Sequence, residues 1–189
     1  NNIAAKIYDG TIVGSAKIKL SKNTEIEAKL SANNINISQL PRALTTIPLS
    51  GIANAEITLS GPLKEMRLDF NLETLHAIFD QIETHAVSVT GSYFKSRLEL
   101  SGLFASIGSG FIEGKHLLYD FLHKEMAGSL IVTDISLAQL LNKYIKIEGL
   151  VSGPIDIAGN FSSPLIIASL NAKNISVMGQ KLGHGPLTI

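Results

Sequence analysis

The residues able to do polar chemistry are few and scattered. Five histidines, His76, His85, His116, His123 and His184, are the candidate bases or metal ligands of a chain without cysteine. A metal site needs such ligands on one face with carboxylates to complete the set. None of the five has that spacing, and none stands with a serine it could activate. Glu73, Asp80 and Glu83 crowd around His76 and His85, but so short a polar run reads as a solvated turn rather than an acid-base pair. There is no GxSxG elbow, no GxxxxGK phosphate loop and no dinucleotide glycine pattern. Gly108-Ser109-Gly110 precedes no helical pattern and reads as a turn. Asn36, Asn160 and Asn174 fit the glycosylation pattern, which short sequences meet by chance. The expectation is a protein that is not an enzyme, with no cofactor and no metal.

What remains is apolar chemistry. Hydrophobic residues make up 45% of the 189 and charged residues only 17%, with 16 basic and 16 acidic side chains. That balance, without a basic block, removes the electrostatic support a nucleic-acid partner would need. Aromatic residues are 6% with no tryptophan, so aliphatic side chains carry the apolar content. Such a surface suits flexible hydrocarbon, whereas a sugar platform or a protein hot spot wants rings. A secreted sandwich lectin or adhesin is disfavoured on that ground. The absence of cysteine excludes a disulfide framework. The chain begins Asn1-Asn2 and is read as part of a longer protein.

The apolar residues alternate, and alternation defines strands with one greasy side. Ile12, Ala16, Ile18 and Leu20 face one way while Lys17 and Lys19 face the other, and after the Ser21-Lys22-Asn23 turn Ile26, Ala28 and Leu30 alternate with Glu25, Glu27 and Lys29. Slipping this hairpin by one residue would bury charges, so its register is fixed. The same parity continues in Ile57 and Leu59, in Leu68 and Phe70, in Leu98 and Leu100, in Ile155, Ile157 and Phe161, and in Leu170 and Val177. The predicted binding face is therefore Ile12, Ile18, Leu20, Ile26, Leu30, Ile57, Leu59, Leu68, Phe70, Leu98, Leu100, Ile155, Ile157, Phe161, Leu170 and Val177. Strands are expected at 87–90 and 93–100, followed by a glycine-rich link from Gly102 to Gly110. Residues 73–85 fit either a helix, by the spacing of Leu75, Phe79 and Ile82, or strand-turn-strand, which is preferred because the matching stretch of the second copy holds Gly179, Gly183 and Gly185. Ser38 is the candidate cap of a helical turn reaching Leu44, and Ser136 of a second in the run from Asp134 to Lys143, where Leu137, Leu140 and Leu141 share a face. The run from His116 to His123 breaks the alternation.

These strands recur. Gly10, Ile12 and Gly14 return 100 residues later as Gly110, Ile112 and Gly114, and Leu30, Ile35, Gln39 and Leu40 return as Leu130, Ile135, Gln139 and Leu140. At an offset of 98, Gly51, Ile57, Leu59 and Gly61 meet Gly149, Ile155, Ile157 and Gly159. Two copies, about 1–100 and 101–189, fill one continuous repetitive β domain, 1–189. About fourteen strands would stack to roughly 65 Å.

The order of these motifs carries a resemblance. The Asp9-Gly10-x-Ile12-x-Gly14 strand, the Asn34 to Leu40 turn with Gln39-Leu40, the Leu49 to Leu63 strand ending Ser60-Gly61-Pro62, and the closing Leu170 to Gly183 stretch together resemble the TamB and AsmA-like bacterial envelope proteins. The resemblance implies an all-β fold, an elongated, half-open β-solenoid or β-taco whose concave face is apolar, similar in design to the chorein-type bridges of eukaryotes. It implies a periplasmic protein anchored in the inner membrane through a segment outside this sequence. It also implies phospholipid acyl chains as cargo and an outer-membrane β-barrel of the BamA type as partner. From another class comes a structural or chaperone-like β-solenoid that binds outer-membrane strands by edge pairing. The end strands of either are expected to associate edge to edge.

Overall fold

A computed structural model describes residues 2–20, 23–40, 48–141 and 144–188. Thirteen strands run in chain order: β1 (Asn2–Ile7), β2 (Gly10–Lys19), β3 (Glu25–Asn36), β4 (Leu49–Pro62), β5 (Arg67–Phe79), β6 (Ile82–Thr84), β7 (Ala86–Phe94), β8 (Arg97–Ile107), β9 (Gly110–Asp120), β10 (Glu125–Ser136), β11 (Ile147–Asn160), β12 (Ser163–Val177) and β13 (Gln180–Thr188). Every pairing is antiparallel, and sequence neighbours are sheet neighbours except that β6 pairs only with the end of β5, letting β7 take the next place. β1 pairs only with β2 and β13 only with β12, so the single sheet does not close into a barrel. Among the described residues the protein is all-β apart from a 3-10 turn, Ile37–Gln39, and one short helix, α1 (Leu137–Leu141).

The charge alternation does fix the first hairpin: Lys17 stands opposite Glu27 and Lys19 opposite Glu25, the latter pair 3.5 Å apart. The repeated glycines have a steric cause. A Cβ on Gly10 would lie 2.5 Å from the Asn33 carbonyl, and one on Gly110 would lie 2.4 Å from that of Asp134. Each glycine seats a bulge in the neighbouring strand, where Asn34 and Asp134 take φ of 56° and 46° and the register shifts. The amide of Asn34 then donates to Asn54 Oδ1 (2.9 Å), and that of Asp134 to Ser152 Oγ (2.8 Å). A Cβ on Gly14 or Gly114 would strike the side chain of Leu30 or Leu130. The glycine-x-x-x-glycine spacing thus serves strand packing.

The core lies at one end of the sheet, beneath the two short helical segments. Ile107, Val132, Ile135 and Val151 form one buried cluster, against which Leu137 and Leu140 pack; Ile37, Ala53 and Ala77 form the other, with Leu40, Leu49 and Phe79. Leu141, expected on the same helical face, is exposed.

Several boundaries differ from expectation. There are thirteen strands, and β1, whose Ile3-Ala4-Ala5-Lys6-Ile7 has a weak alternation, was not anticipated. The turn after β7 falls at Lys95-Ser96, not at Gly91-Ser92, and Gly102 to Ile107 is strand rather than link. The first helical turn is capped by Asn36, whose side chain accepts from the Ser38 amide, in place of Ser38 itself. Its expected continuation from 41 to 44, the Ser21-Lys22 turn and 142–143 of the second helical turn lie outside the described residues. Residues 73–85 are strand, turn and strand, the reading favoured over a helix by the glycines of the second copy. The irregular run at His116 is another bulge: His116 has φ 55°, and the pairing of β9 with β10 slips there, which returns Leu117 and Tyr119 to the face of Ile112 and Gly114.

Candidate functional site

Cross-strand registry sorts the side chains into two faces, because residues directly opposite one another point the same way. One row runs Ala28, Leu59, Leu68, Tyr93, Leu98, Tyr119, Met126 and Gly159 from β3 to β11. The next runs Leu30, Ile57, Phe70, Gly91, Leu100 and Leu117. A third runs Ile12, Ala32, Ala55, Leu72, Val89, Leu103, Gly114, Leu130, Ile155 and Ala168, crossing ten strands without a charge. The sheet therefore carries one continuous aliphatic face.

All but two of the sixteen sequence-predicted residues lie on strands whose registry gives them this face; Leu20 and Phe161 sit just past strand ends with the same parity. None is buried: Ile18, Leu20 and Phe161 are exposed and the other thirteen half-buried. A second protein layer would have buried them, and among the described residues only the two helical segments cover any of the sheet.

An apolar hollow of about 450 Å³ lies over β8 to β11, walled by Leu98, Leu100, Leu103, Leu117, Tyr119, Met126, Leu130, Ile157 and Phe161. Its two rings, Tyr119 and Phe161, belong to a chain of edge-on contacts at one rim: Tyr93 to Phe121 at 5.8 Å, Phe121 to Tyr119 at 4.6 Å, and Tyr119 to Phe161 at 5.8 Å. Sequence reasoning found Leu98, Leu100, Ile157 and Phe161 but missed Leu103, Leu117, Tyr119, Met126 and Leu130. The parity of Leu130 was visible; that of Leu117 and Tyr119 depends on the bulge. A larger hollow of about 870 Å³ beside β2 to β4 mixes Lys17, Glu27 and Lys29 with Ala16, Ile18 and Leu59, and one of about 400 Å³ is lined by Arg67, Asp69 and Glu99. Their charged walls make them poor seats for hydrocarbon.

The polar groups form local braces. His76 Nε2 lies 2.8 Å from Glu83 Oε1 with both side chains more than half exposed, and the hydrogen bond from His76 lowers the Glu83 carboxyl below its usual value. His85 stands 6.5 Å from His76, ring to ring. Asp120 is buried at the end of β9, where it accepts from the amides of Leu122 and His123, from His123 Nδ1 and from Arg97 Nε, all at 3.0 Å. Those donors, His123 first, hold its carboxyl far below the ordinary aspartate range. Asp134 is lowered by Lys173, 3.1 Å away, and then by Ser152. Among the described residues no group of three or more His, Cys, Asp or Glu side chains could hold a metal ion, and no helix is long and apolar enough to cross a membrane.

Fold and site together define an open, single-layer antiparallel sheet with one unbroken aliphatic face. No protein-family model, curated protein or solved structure matches the chain.

Proposed function

We propose that this chain is a segment of a periplasmic bridge-like protein that carries phospholipid acyl chains between the inner and outer membranes, and so supports outer-membrane assembly. The observation that carries the reading is the aliphatic face crossing ten strands with no protein layer over most of it. Strands greasy on one side must bury that side against something, and here the sheet leaves the covering to a guest. Curled into a half-open taco with this face concave, the sheet becomes a trough. An acyl chain lying there leaves water at about 0.8 kcal/mol per methylene without any directional contact, which lets it slide. Twelve strands on the main path, at about 4.8 Å each, extend the trough about 53 Å, so further copies would be needed to cross an envelope. The resemblance to the TamB and AsmA-like proteins adds the inner-membrane anchor and the BamA-type barrel partner, and no step of this transport is enzymatic.

The test is lipid content. The purified chain, extracted with organic solvent, should yield bound phospholipid, and Ile157→Arg should deplete it severalfold while the fold stands. Ile157 is half-buried in the wall of the 450 Å³ hollow, where a guanidinium would meet hydrocarbon. Lipid-free protein from wild type, or undiminished lipid in the variant, removes the conduit. A chaperone-like solenoid pairing with outer-membrane strands is favoured by one feature: β1 is an exposed edge with neither proline nor glycine, whereas β13 has Pro186, Gly183 and Gly185. Labelling of Ile57→Cys and Ile155→Cys separates the two, since added lipid shields these positions only in a conduit.

A further inference from the structure

Five hairpin tips lie along one end of the sheet, their described residues being 20 and 23–24, 63–66, 95–96, 121–124 and 161–162. They are tied to one another in turn. The Leu63 amide donates to the Thr24 carbonyl (3.0 Å), Lys95 Nζ pairs with Glu65 (3.3 Å), the Phe121 amide donates to the Ser96 carbonyl (2.8 Å), and the Phe161 amide donates to the Lys124 carbonyl (2.9 Å). Tips linked in this way hold their side chains as one strip, and the strip is apolar. Leu20 is 85% exposed, Leu63 60%, Phe121 51%, Leu122 75% and Phe161 64%. Turn geometry asks for glycine, asparagine or aspartate at such positions and gives no reason for bulky hydrocarbon. The same tips carry lysines: Lys95 is engaged with Glu65, while Lys64 and Lys124 make no ion pair among the described residues. Among the described residues the opposite end presents Tyr144, Ile145 and Met178, and its other turns carry Asp9, Asp80 and Gly108-Ser109.

We infer that this row of tips is a membrane-contacting edge, seated on the interface of a bilayer that contains anionic phospholipid. Leucine and phenylalanine side chains reach below the head groups, where aromatic rings and aliphatic tips are favoured. Lysines beside them stay at the level of the phosphates, each adding an electrostatic attraction. The two unpaired lysines select this occupant over a protein surface, because a negatively charged lipid plane satisfies them without a matched carboxylate at each position. The inference stands on the tips alone and goes beyond the conduit. The two meet at Phe161, which belongs both to the strip and to the wall of the 450 Å³ hollow, so a lipid leaving the bilayer there would have the shortest path into the trough.

The experiment is flotation of the full chain with vesicles of phosphatidylcholine alone or mixed with phosphatidylglycerol. Wild type is expected to float with the mixed vesicles and to be released by salt. Leu122→Asp combined with Phe161→Asp should weaken binding about tenfold or more. Lys64→Glu with Lys124→Glu should erase the preference for the anionic vesicles. Both pairs alter exposed side chains, and circular dichroism reports whether the fold persists. The chain has no tryptophan, so Phe161→Trp gives a single reporter whose emission should shift to the blue on vesicles. No flotation of wild type, undiminished flotation of both double variants, or unshifted tryptophan emission in floated protein would overturn the assignment, as would a protein partner that competes for the tips. Ile157→Arg keeps the two readings apart: it should float normally while losing co-purified lipid.

Discussion

The two copies share most of a backbone, the bulge at His116 and the break between β6 and β7 apart, and differ in what fills it. At offsets of 100 and 98, Ala32, Ala53 and Ala77 in the first copy correspond to Val132, Val151 and Ile175 in the second. Ala32, Ala53 and Ala77 are all buried, as are Val132 and Val151. The backbone devices are the same in both: the glycine that admits a bulge, the left-handed Asn34 or Asp134, and the side chain on the next strand that binds its amide. The outward face differs as much. Where β5 carries Arg67 and Asp69, 2.9 Å apart, β12 carries Leu165 and Ile167. Glu27, Ser31 and Ser60 likewise become Ala127, Ile131 and Ala158. The lesson is that strand register is specified by glycines, bulges and parity, while the volume of side chains on the inner face and the polarity of the outer one vary freely between copies.

The sharpest break of this comparison is at the paired isoleucines of the bulges. Ile135 is 1% exposed, in the larger core, whereas Ile35 is half-buried beside alanines. Ile135→Ala should cost about 2–4 kcal/mol in urea unfolding, and Ile35→Ala about half as much or less, since less of its side chain leaves water in the native state. Equal losses would show that the alanine-rich end is packed as tightly as the valine-rich one.

The hairpin tips offer a second contrast. Asp120 braces the β9–β10 tip, and the residue 100 positions earlier is Leu20, which can accept nothing. Because the Asp120 carboxyl is depressed in the folded protein, chiefly by His123, its stabilising effect is complete above the unfolded aspartate value of about 3.9 and is lost as pH falls below it. Hydrogen exchange across an acid series should therefore open the amides of Leu122 and His123 before the rest of the sheet. Asp120→Asn should expose them already at neutral pH and flatten the acid step. An unchanged profile in the variant would mean that Arg97 and the turn itself hold the tip.

Much of this architecture was legible before any coordinates. Strict alternation in Ile26, Ala28 and Leu30 fixed both strand and face, and the repeated glycines marked the repeat without revealing the bulges they seat. The Lys95-Ser96 turn was not legible because both residues take positive φ, 47° and 62°, where a two-residue hairpin ordinarily shows asparagine-glycine, while Gly91-Ser92 looked like a turn and is strand. The ring cluster of Tyr93, Tyr119, Phe121 and Phe161 was hidden for another reason. Its members come from three hairpins, and Tyr119 joins the aliphatic face only after the His116 bulge has shifted its parity. Parity can be read from sequence within a strand, but not across a bulge whose position is unknown.

The smallest expected effect on stability tests the outward face. Leu165→Arg with Ile167→Asp transplants the first copy's ion pair onto β12, at two positions that are already 60% and 50% exposed. Neither side chain contributes to the buried clusters, so unfolding free energy should stay within about 0.5 kcal/mol of wild type. What should change is association. The exposed aliphatic side chains of Leu165 and Ile167 on an open sheet favour contact between molecules, and light scattering over a concentration series should show less of it in the variant. If the double substitution instead unfolds the second copy, those residues are part of a packed surface and the outward face of β9 to β12 is a second core; if scattering is unchanged, association proceeds through the β1 edge, where inserting Ala5→Pro would be the next strand-specific block.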